Sequence, residues 1–224
     1  MKFEIVFIAN SPTEKEKKHL KKFEETITNC IVIEIERETL YSSWNRGIKA
    51  ARGNAICFWN VDDLRFGRAL INGYAEIKKG TDIIYFSFLI KKKHKYYKWL
   101  PVPKFSIVFP LKFDRALFRS GMFCGPFFMF SRNAIEKIGY FDEQFNIVGD
   151  MEFCNRAADN GLEFVRSFTL AGFYIKNGNT LSANKQTEVL HKVENEVVYK
   201  RYKITYKYQE LNSEGLNLLK KYKI

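Results

Sequence analysis

Apolar positions along the chain switch between a period of two and a period of three to four, and each switch marks a change of element. Lys2 to Ile8 alternate and predict a strand. Ser11-Pro12-Thr13-Glu14 offers a capping box with proline at the first helical position, and Leu20, Phe23 and Ile27 give the next helix a buried stripe. Cys30 to Ile35 predicts a second strand. Trp44, Ile48 and Ala51 then fall at i, i+4 and i+7 of a short helix, with Ser42 or Ser43 to cap it and Gly53 to close it in the left-handed conformation. Ala55 to Trp59 is a short unbroken apolar run, the kind buried on both faces of a parallel sheet.

The same rhythm continues downstream and loosens after the lysine-rich stretch that follows residue 90. Arg68 to Lys79 predicts a helix stopped by Gly80, and Asp82 to Ile90 a strand. The stretch KKKHKYYKWLPVPK, with Pro101 and Pro103, predicts a loop or edge hairpin. Phe123 to Phe130 predicts a strand, Asn133 to Ile138 a short helix, and Asp150 to Asn160 a helix stopped by Gly161. Alternation of strands and helices implies an α/β fold, with a Rossmann-like, mostly parallel sheet flanked by helices. TEVLHKVENEVVYKRY adds a late helix, so residues 1–185 are expected to form the main domain and 186–224 a basic helical extension packed on it. No repeat, low-complexity tract or linker interrupts the chain.

Composition narrows the class. With 224 residues, 46% of them hydrophobic, the chain can bury one sizeable core. Cys30, Cys57, Cys124 and Cys154 are widely spaced, without a Cys-x-x-Cys or histidine partners, and read as reduced thiols. No signal-peptide pattern or membrane-length apolar run is visible, so a cytoplasmic location is expected. The net charge of +12 is concentrated in two places: six lysines within residues 91–104, and seven basic residues against Glu210 and Glu214 from Tyr199 onwards. Lysines interleaved with Tyr97 and Trp99 suit an anionic lipid surface, a lipid diphosphate, a nucleic acid, or simply solvent. Leu211, Leu216, Leu218 and Leu219 permit an amphipathic C-terminal helix on a membrane or on the core.

Candidate chemistry gathers at strand ends, where open α/β sheets bind ligands. Asn60, Asp62 and Asp63 follow the third strand; adjacent carboxylates repel unless donors or a cation offset them, which fits either a solvated turn or a divalent metal carrying a diphosphate. Asn10 and Ser11 end the first strand, where they suit a turn and cap, and Glu36 and Glu38 follow the second, where they suit an exposed charged loop. Asp150 opens a helix, and from its position alone it reads as a cap.

Two phrases, YSSWNRGIKAARGNAICFWNVDD (Tyr41 to Asp63) and CGPFFMFSRNAIEKIGYFDEQFNIVGDMEFCNRAADNG (Cys124 to Gly161), together resemble the family 2 glycosyltransferases of GT-A fold. The first carries Asn45, Gly47, Ala51, Gly53 and an Asn60-Val61-Asp62-Asp63 version of the family's Asp-x-Asp-Asp turn; the second carries its Gly-x-Phe-Asp-Glu turn and the residue pair opening a helix. The resemblance covers roughly residues 1–170. It implies an inverting enzyme that moves a sugar from a nucleoside-diphosphate sugar to a hydroxyl of a glycan or lipid-linked saccharide, as in cell-surface polysaccharide synthesis. It also implies Asp150 as the catalytic base and Mg²⁺ or Mn²⁺ at Asp62 and Asp63. Donor contacts would come from Asn10, Ser11, Glu36, Glu38, Asn45, Asn60 and Asp62.

Gly149 stands where the family usually has Glu and Asn60 where it has Asp, which lowers the negative charge of the site. The family's further metal-binding histidine has one counterpart to consider, His191, inside the late helix. Lys91 to Lys95 and the C-terminal segment permit peripheral membrane contact or a merely solvated basic face, and nucleic-acid binding is not expected. Other readings are a non-catalytic basic module for nucleic acid or membrane, and a nucleotidyltransferase. The absence of a Gly-rich phosphate loop after the first strand argues against the latter.

Overall fold

The computed structural model describes residues 2–92, 105–118, 124–176, 187–204 and 211–223. Within them, strand β1 (Ile5–Asn10) leads through helix α1 (Glu14–Thr26) into β2 (Cys30–Ile35), and the two strands pair in parallel from Ile5↔Cys30 to Asn10↔Ile35. Next come α2 (Leu40–Ala50), β3 (Ala55–Cys57), β4 (Leu64–Arg65), α3 (Gly67–Lys78), β5 (Ile83–Lys92) and β6 (Phe105–Val108). Helix α4 (Arg115–Phe118), β7 (Met129–Ser131), α5 (Arg132–Ile138), α6 (Gly149–Asp159), β8 (Phe164–Lys176), α7 (Glu188–Arg201) and α8 (Ser213–Leu219) complete the described chain.

The α/β layering follows the sequence expectation, but the sheet is mixed rather than mostly parallel. Its order is β3-β7-β5-β8-β4, with β6 also on β5. Only β5 and β8 run parallel there; β7 and β6 pair antiparallel with successive halves of β5's other edge, and β3 and β4 are antiparallel to β7 and β8. A continuous apolar run reports burial on both faces and is silent on strand direction. β5 shows why: Ile83 and Tyr85 face one core cluster, while Ile84, Phe86 and Phe88 face the other. Register shifts between Phe86 and Leu89 bend the β5–β8 ladder.

The larger cluster is aromatic. Trp44 of α2 stacks on Phe58 at 3.9 Å, and Phe141 stacks on Phe153 of α6 at 4.3 Å. Val197 and Val198 of α7 and the following Ile204 belong to this same cluster, with Leu219 and Tyr222 packed against it. The last quarter of the chain therefore contributes to the central core.

Several local expectations are corrected. Helix α1 is capped by Thr13 with a Thr13/Glu16 capping box, two residues beyond the expected Ser11, and it buries no residue; Phe23 of its apolar stripe is exposed. Helix α2 is capped by Thr39, whose side chain accepts from the Ser42 amide, so Ser42 and Ser43 lie inside the helix. It ends at Ala50 without a left-handed glycine; the Arg52 and Gly53 amides instead donate to Glu4 at 2.6 Å. The strand expected over 123–130 is confined to Met129–Ser131, because Gly125 takes φ +69° and Pro126 has no N–H to donate. Phe123, Lys93, Lys95, Tyr97 and Trp99 lie outside the described residues, and Lys91 is exposed. Among the described residues no helix is long and apolar enough to cross a membrane.

Candidate active site

Helix α6 presents Asp150 in its first turn. The cap position is Val148, so Asp150 is a helical residue and its expected alternative role as N-cap does not hold. Its Oδ1 accepts from the Met151 amide at 2.8 Å and lies 3.3 Å from the Tyr41 hydroxyl. Burial pushes the Asp150 pKa up; the Met151 and Tyr41 hydrogen bonds oppose this, and the charge of Glu194 adds to it. Tyr41, from the first turn of α2, is itself fully buried and donates to the Ile147 carbonyl at 2.8 Å. An ideal Cβ on Gly149 would stand 2.7 Å from the Tyr41 ring, which accounts for glycine where the family usually has Glu.

Carboxylates from the second phrase and from the C-terminal quarter hold this helix in place. Glu152, 1% exposed, takes Arg156 in a two-point pair at 3.0 Å and the Tyr202 hydroxyl at 2.6 Å. Arg201 bonds Asp142 at 2.9 Å. Glu194 of α7, 0% exposed, accepts from the backbone amides of Asn146, Ile147 and Val148 at 2.7, 2.8 and 3.1 Å, and from the Tyr222 hydroxyl at 2.9 Å. Glu194, Glu152 and Tyr41 were not singled out from the sequence. For Glu194 there was a signal: it sits within the stripe Leu190, Val193, Val197 and Val198, where an acid needs donors to be tolerated.

Asn45 is engaged within the protein. It is 2% exposed; its amide donates to the Phe141 carbonyl at 2.9 Å and to Glu143 at 2.8 Å, and its oxygen accepts from the Phe141 amide at 3.0 Å. It ties α2 to the Gly-x-Phe-Asp-Glu turn. Asn10 is engaged similarly, exchanging hydrogen bonds with the Glu38 backbone at 2.9 and 3.1 Å. Glu38 pairs with Arg46 at 2.8 Å, whereas Glu36 and Ser11 are exposed, Ser11 with φ 55°. These four residues converge where β1 and β2 end side by side.

Asp62 and Asp63 diverge in environment. Asp63 is 5% exposed and accepts the Ile175 amide of β8 at 3.1 Å; burial pushes its pKa up, the Ile175 bond opposes that, and the Asp62 charge reinforces it. Its carboxylate pins the turn to β8 through Oδ1. Asp62 and Asn60 are half-buried beside it. Among the described residues no group of three His, Cys, Asp or Glu side chains is arranged to hold a metal by itself. One carboxylate is nonetheless enough where a substrate diphosphate supplies other oxygens, as Mg²⁺ sites often do. His191 is half-buried on α7, with its pKa lowered by burial and raised by the nearby Glu194 charge, the first effect winning.

The site thus joins an acidic turn after β3 to a carboxylate in the first turn of α6 on one α/β framework. The Glycosyl transferase family 2 profile matches residues 1–139, and the chain belongs to that family of glycosyltransferases. Comparison with curated protein sequences finds no match. Among solved structures, S. aureus TarS 1–349 in complex with UDP-GlcNAc is similar at TM-score 0.61 and 16% identity, over 97% of this chain and 61% of TarS 1–349. TarS 1–349 with UDP gives TM-score 0.59 at 16% identity, over 97% and 60%. The mannosyltransferase PcManGT from Pyrobaculum calidifontis, in complex with GDP-Man and Mn²⁺, gives TM-score 0.53 at 13% identity, over 86% of this chain and 51% of that one. The chain thus spans about three fifths of the TarS structures it resembles.

Proposed function

We propose that this domain transfers a sugar from a nucleoside-diphosphate sugar to a hydroxyl of a glycan or lipid-linked saccharide, with inversion. The observation carrying this reading is Asp150: a half-buried carboxylate whose described side-chain and neighbouring-amide partners, Tyr41 and Met151, both meet Oδ1. Oδ2 is the oxygen available to a proton. A sugar hydroxyl is a poor nucleophile at neutral pH, so a carboxylate that takes its proton during attack on the anomeric carbon lowers the barrier. A raised pKa makes that carboxylate a better base. The single displacement breaks the bond to the diphosphate as the new glycosidic bond forms, which inverts the anomeric centre.

Asp62 would hold a divalent cation jointly with the donor diphosphate, the cation offsetting the charge of the leaving group. Asn60 would lie beside it, and Asn10, Ser11, Glu36 and Glu38 would frame the nucleoside. TarS and PcManGT bind UDP-GlcNAc and GDP-Man, and a nucleoside-diphosphate sugar is what they share. Contact with a membrane would involve Lys91 to Lys95 and the C-terminal segment, bringing the site to a lipid-linked acceptor.

The test is a thermal-shift panel of UDP-, GDP-, dTDP- and CMP-sugars with and without Mn²⁺. A bound donor at 100 times its dissociation constant adds about 2.7 kcal/mol of stability. One donor class is expected to raise the melting temperature, more with Mn²⁺; no response to any donor would remove the proposal.

A further inference from the structure

The family profile ends at residue 139, so both the segment that carries Asp150 and the final quarter of the chain, which reaches that segment, lie beyond it. Residues 146–148 approach α6 with three consecutive backbone N–H groups converging on one side. Such groups at a helix start carry partial positive charge and need acceptors. No side chain on α6 itself supplies one at the cap, since the cap residue is Val148. Glu194, which lies 46 residues beyond Val148 in the chain, supplies both its oxygens: Oε1 to Asn146, Oε2 to Ile147 and Val148. The Asn146 side-chain amide and the Tyr222 hydroxyl also donate to Oε1, at 3.2 and 2.9 Å. Tyr41 holds the Ile147 carbonyl. The backbone just ahead of Asp150 is therefore gripped on its N–H groups by α7 and on a carbonyl by α2.

We propose that Glu194 is the positioning residue for Asp150: its buried carboxylate clamps the amides of residues 146–148 and so sets where the Asp150 side chain is held. Rotation of this segment would carry Asp150 away from the Tyr41 hydroxyl. The clamp also acts through charge. Among the described residues, the titratable groups facing Asp150 are Tyr41 from α2, Glu194 from α7 and Cys154 one turn along α6, with Cys124 behind Cys154. Glu194 is the carboxylate among them, itself flanked by Tyr222 and His191. Its negative charge disfavours ionisation of Asp150 and so strengthens it as a base. This inference rests on the reading of Asp150 as the base, and it is tested without substrate.

Hydrogen exchange of the 146–148 amides and the Asp150 carboxyl titration, followed by carbon NMR, are measured on the full chain and on Glu194→Gln. The neutral amide keeps the shape but loses the charge and one strong acceptor. Exchange at the three amides is expected to rise by about tenfold or more, since each loses a charge-assisted bond, and the Asp150 midpoint is expected to move to lower pH. Unchanged protection, or an unchanged Asp150 midpoint, would overturn the proposal; a merely structural glutamate would not move that midpoint. If Glu194→Gln does not fold, Glu194→Asp keeps the charge but is one methylene short. It should raise exchange while leaving the midpoint near the parent value, and parent-like exchange would overturn the clamp. Failure of the glycosyl-transfer reading would show instead as no response of the parent to any nucleotide sugar.

Discussion

The Tyr41 ring occupies the space that a side chain on Gly149 would need, with ring carbons 2.7 Å from an ideal Cβ. Tyr41 cannot retreat easily: it stacks on Phe141 at 5.8 Å, meets Trp44 edge-on at 5.3 Å and holds the Ile147 carbonyl through its hydroxyl. Glycine at this point lets α2 and α6 approach closely enough for the Tyr41 hydroxyl to reach Asp150.

Gly149→Ala should therefore destabilise the protein despite the better helix propensity of alanine. Overpacking of this kind costs about 1–3 kcal/mol, more than the roughly 1 kcal/mol that alanine gains in a helix. Urea unfolding measures the sum. A variant as stable as the parent would mean that the ring moves freely, and the close approach would lose its explanatory role.

Asp150→Asn separates chemistry from stability. Burial raises the Asp150 pKa above its unfolded value, so the group favours the folded state below the ordinary carboxylate pKa, and that contribution is lost as pH rises through the raised value. At neutral pH the ionised carboxylate is thus a cost, and the Asn variant should melt at the same temperature or higher. Transfer should fall on the order of 100-fold to 10,000-fold, the usual contribution of a positioned base. In the parent the rate should decline with acidification at a higher pH than an ordinary aspartate would give. Transfer within a few-fold of the parent would remove Asp150 from the mechanism.

Much of this site was legible as local pattern and little of it as tertiary contact. Gly80 and Gly161 end their helices with positive φ, as their positions after apolar stripes suggested. Helix caps slipped by a few residues, because Ser11, Thr13, Thr39, Ser42 and Ser43 are chemically equivalent candidates. Thr13 and Thr39 are the ones whose side chains accept from the Glu16 and Ser42 amides. Asn45 was visible as a member of a motif, but its partner lies 96 residues on, at Phe141. Asp62 and Asp63 look alike in sequence; only the docking of β8 beside the turn buries one of them. Strand direction was invisible for the same reason, since burial on both faces looks alike in either sense.

Asn45→Ala should be costly to the fold. It leaves the Phe141 amide and carbonyl without their partner inside a buried turn, at about 1–3 kcal/mol for each unsatisfied group. Donor affinity should survive in whatever fraction stays folded. Isothermal titration of the folded variant with the donor checks this, and a selective loss of affinity at unchanged stability would return Asn45 to the donor site.

The acidic turn yields the sharpest separation, because its two neighbouring aspartates should respond oppositely. Asp62→Ala changes a half-buried side chain for which no described hydrogen bond is lost, so the melting temperature without ligand should stay within the narrow range of ordinary surface changes, about 0.5 kcal/mol. The Mn²⁺-dependent part of the donor response should vanish. Asp63→Ala removes the acceptor of the Ile175 amide and should cost roughly 1–3 kcal/mol. Asp63→Asn keeps an oxygen for that amide and removes a carboxylate whose pKa burial has raised. By the same sign argument as for Asp150, it should match or exceed the parent's stability at neutral pH and keep the Mn²⁺ response. Thermal melts of the three variants, with and without donor and Mn²⁺, decide the matter. Loss of the Mn²⁺ response in Asp63→Asn at full stability would make Asp63 a ligand after all, and its survival in Asp62→Ala would take the cation away from this turn.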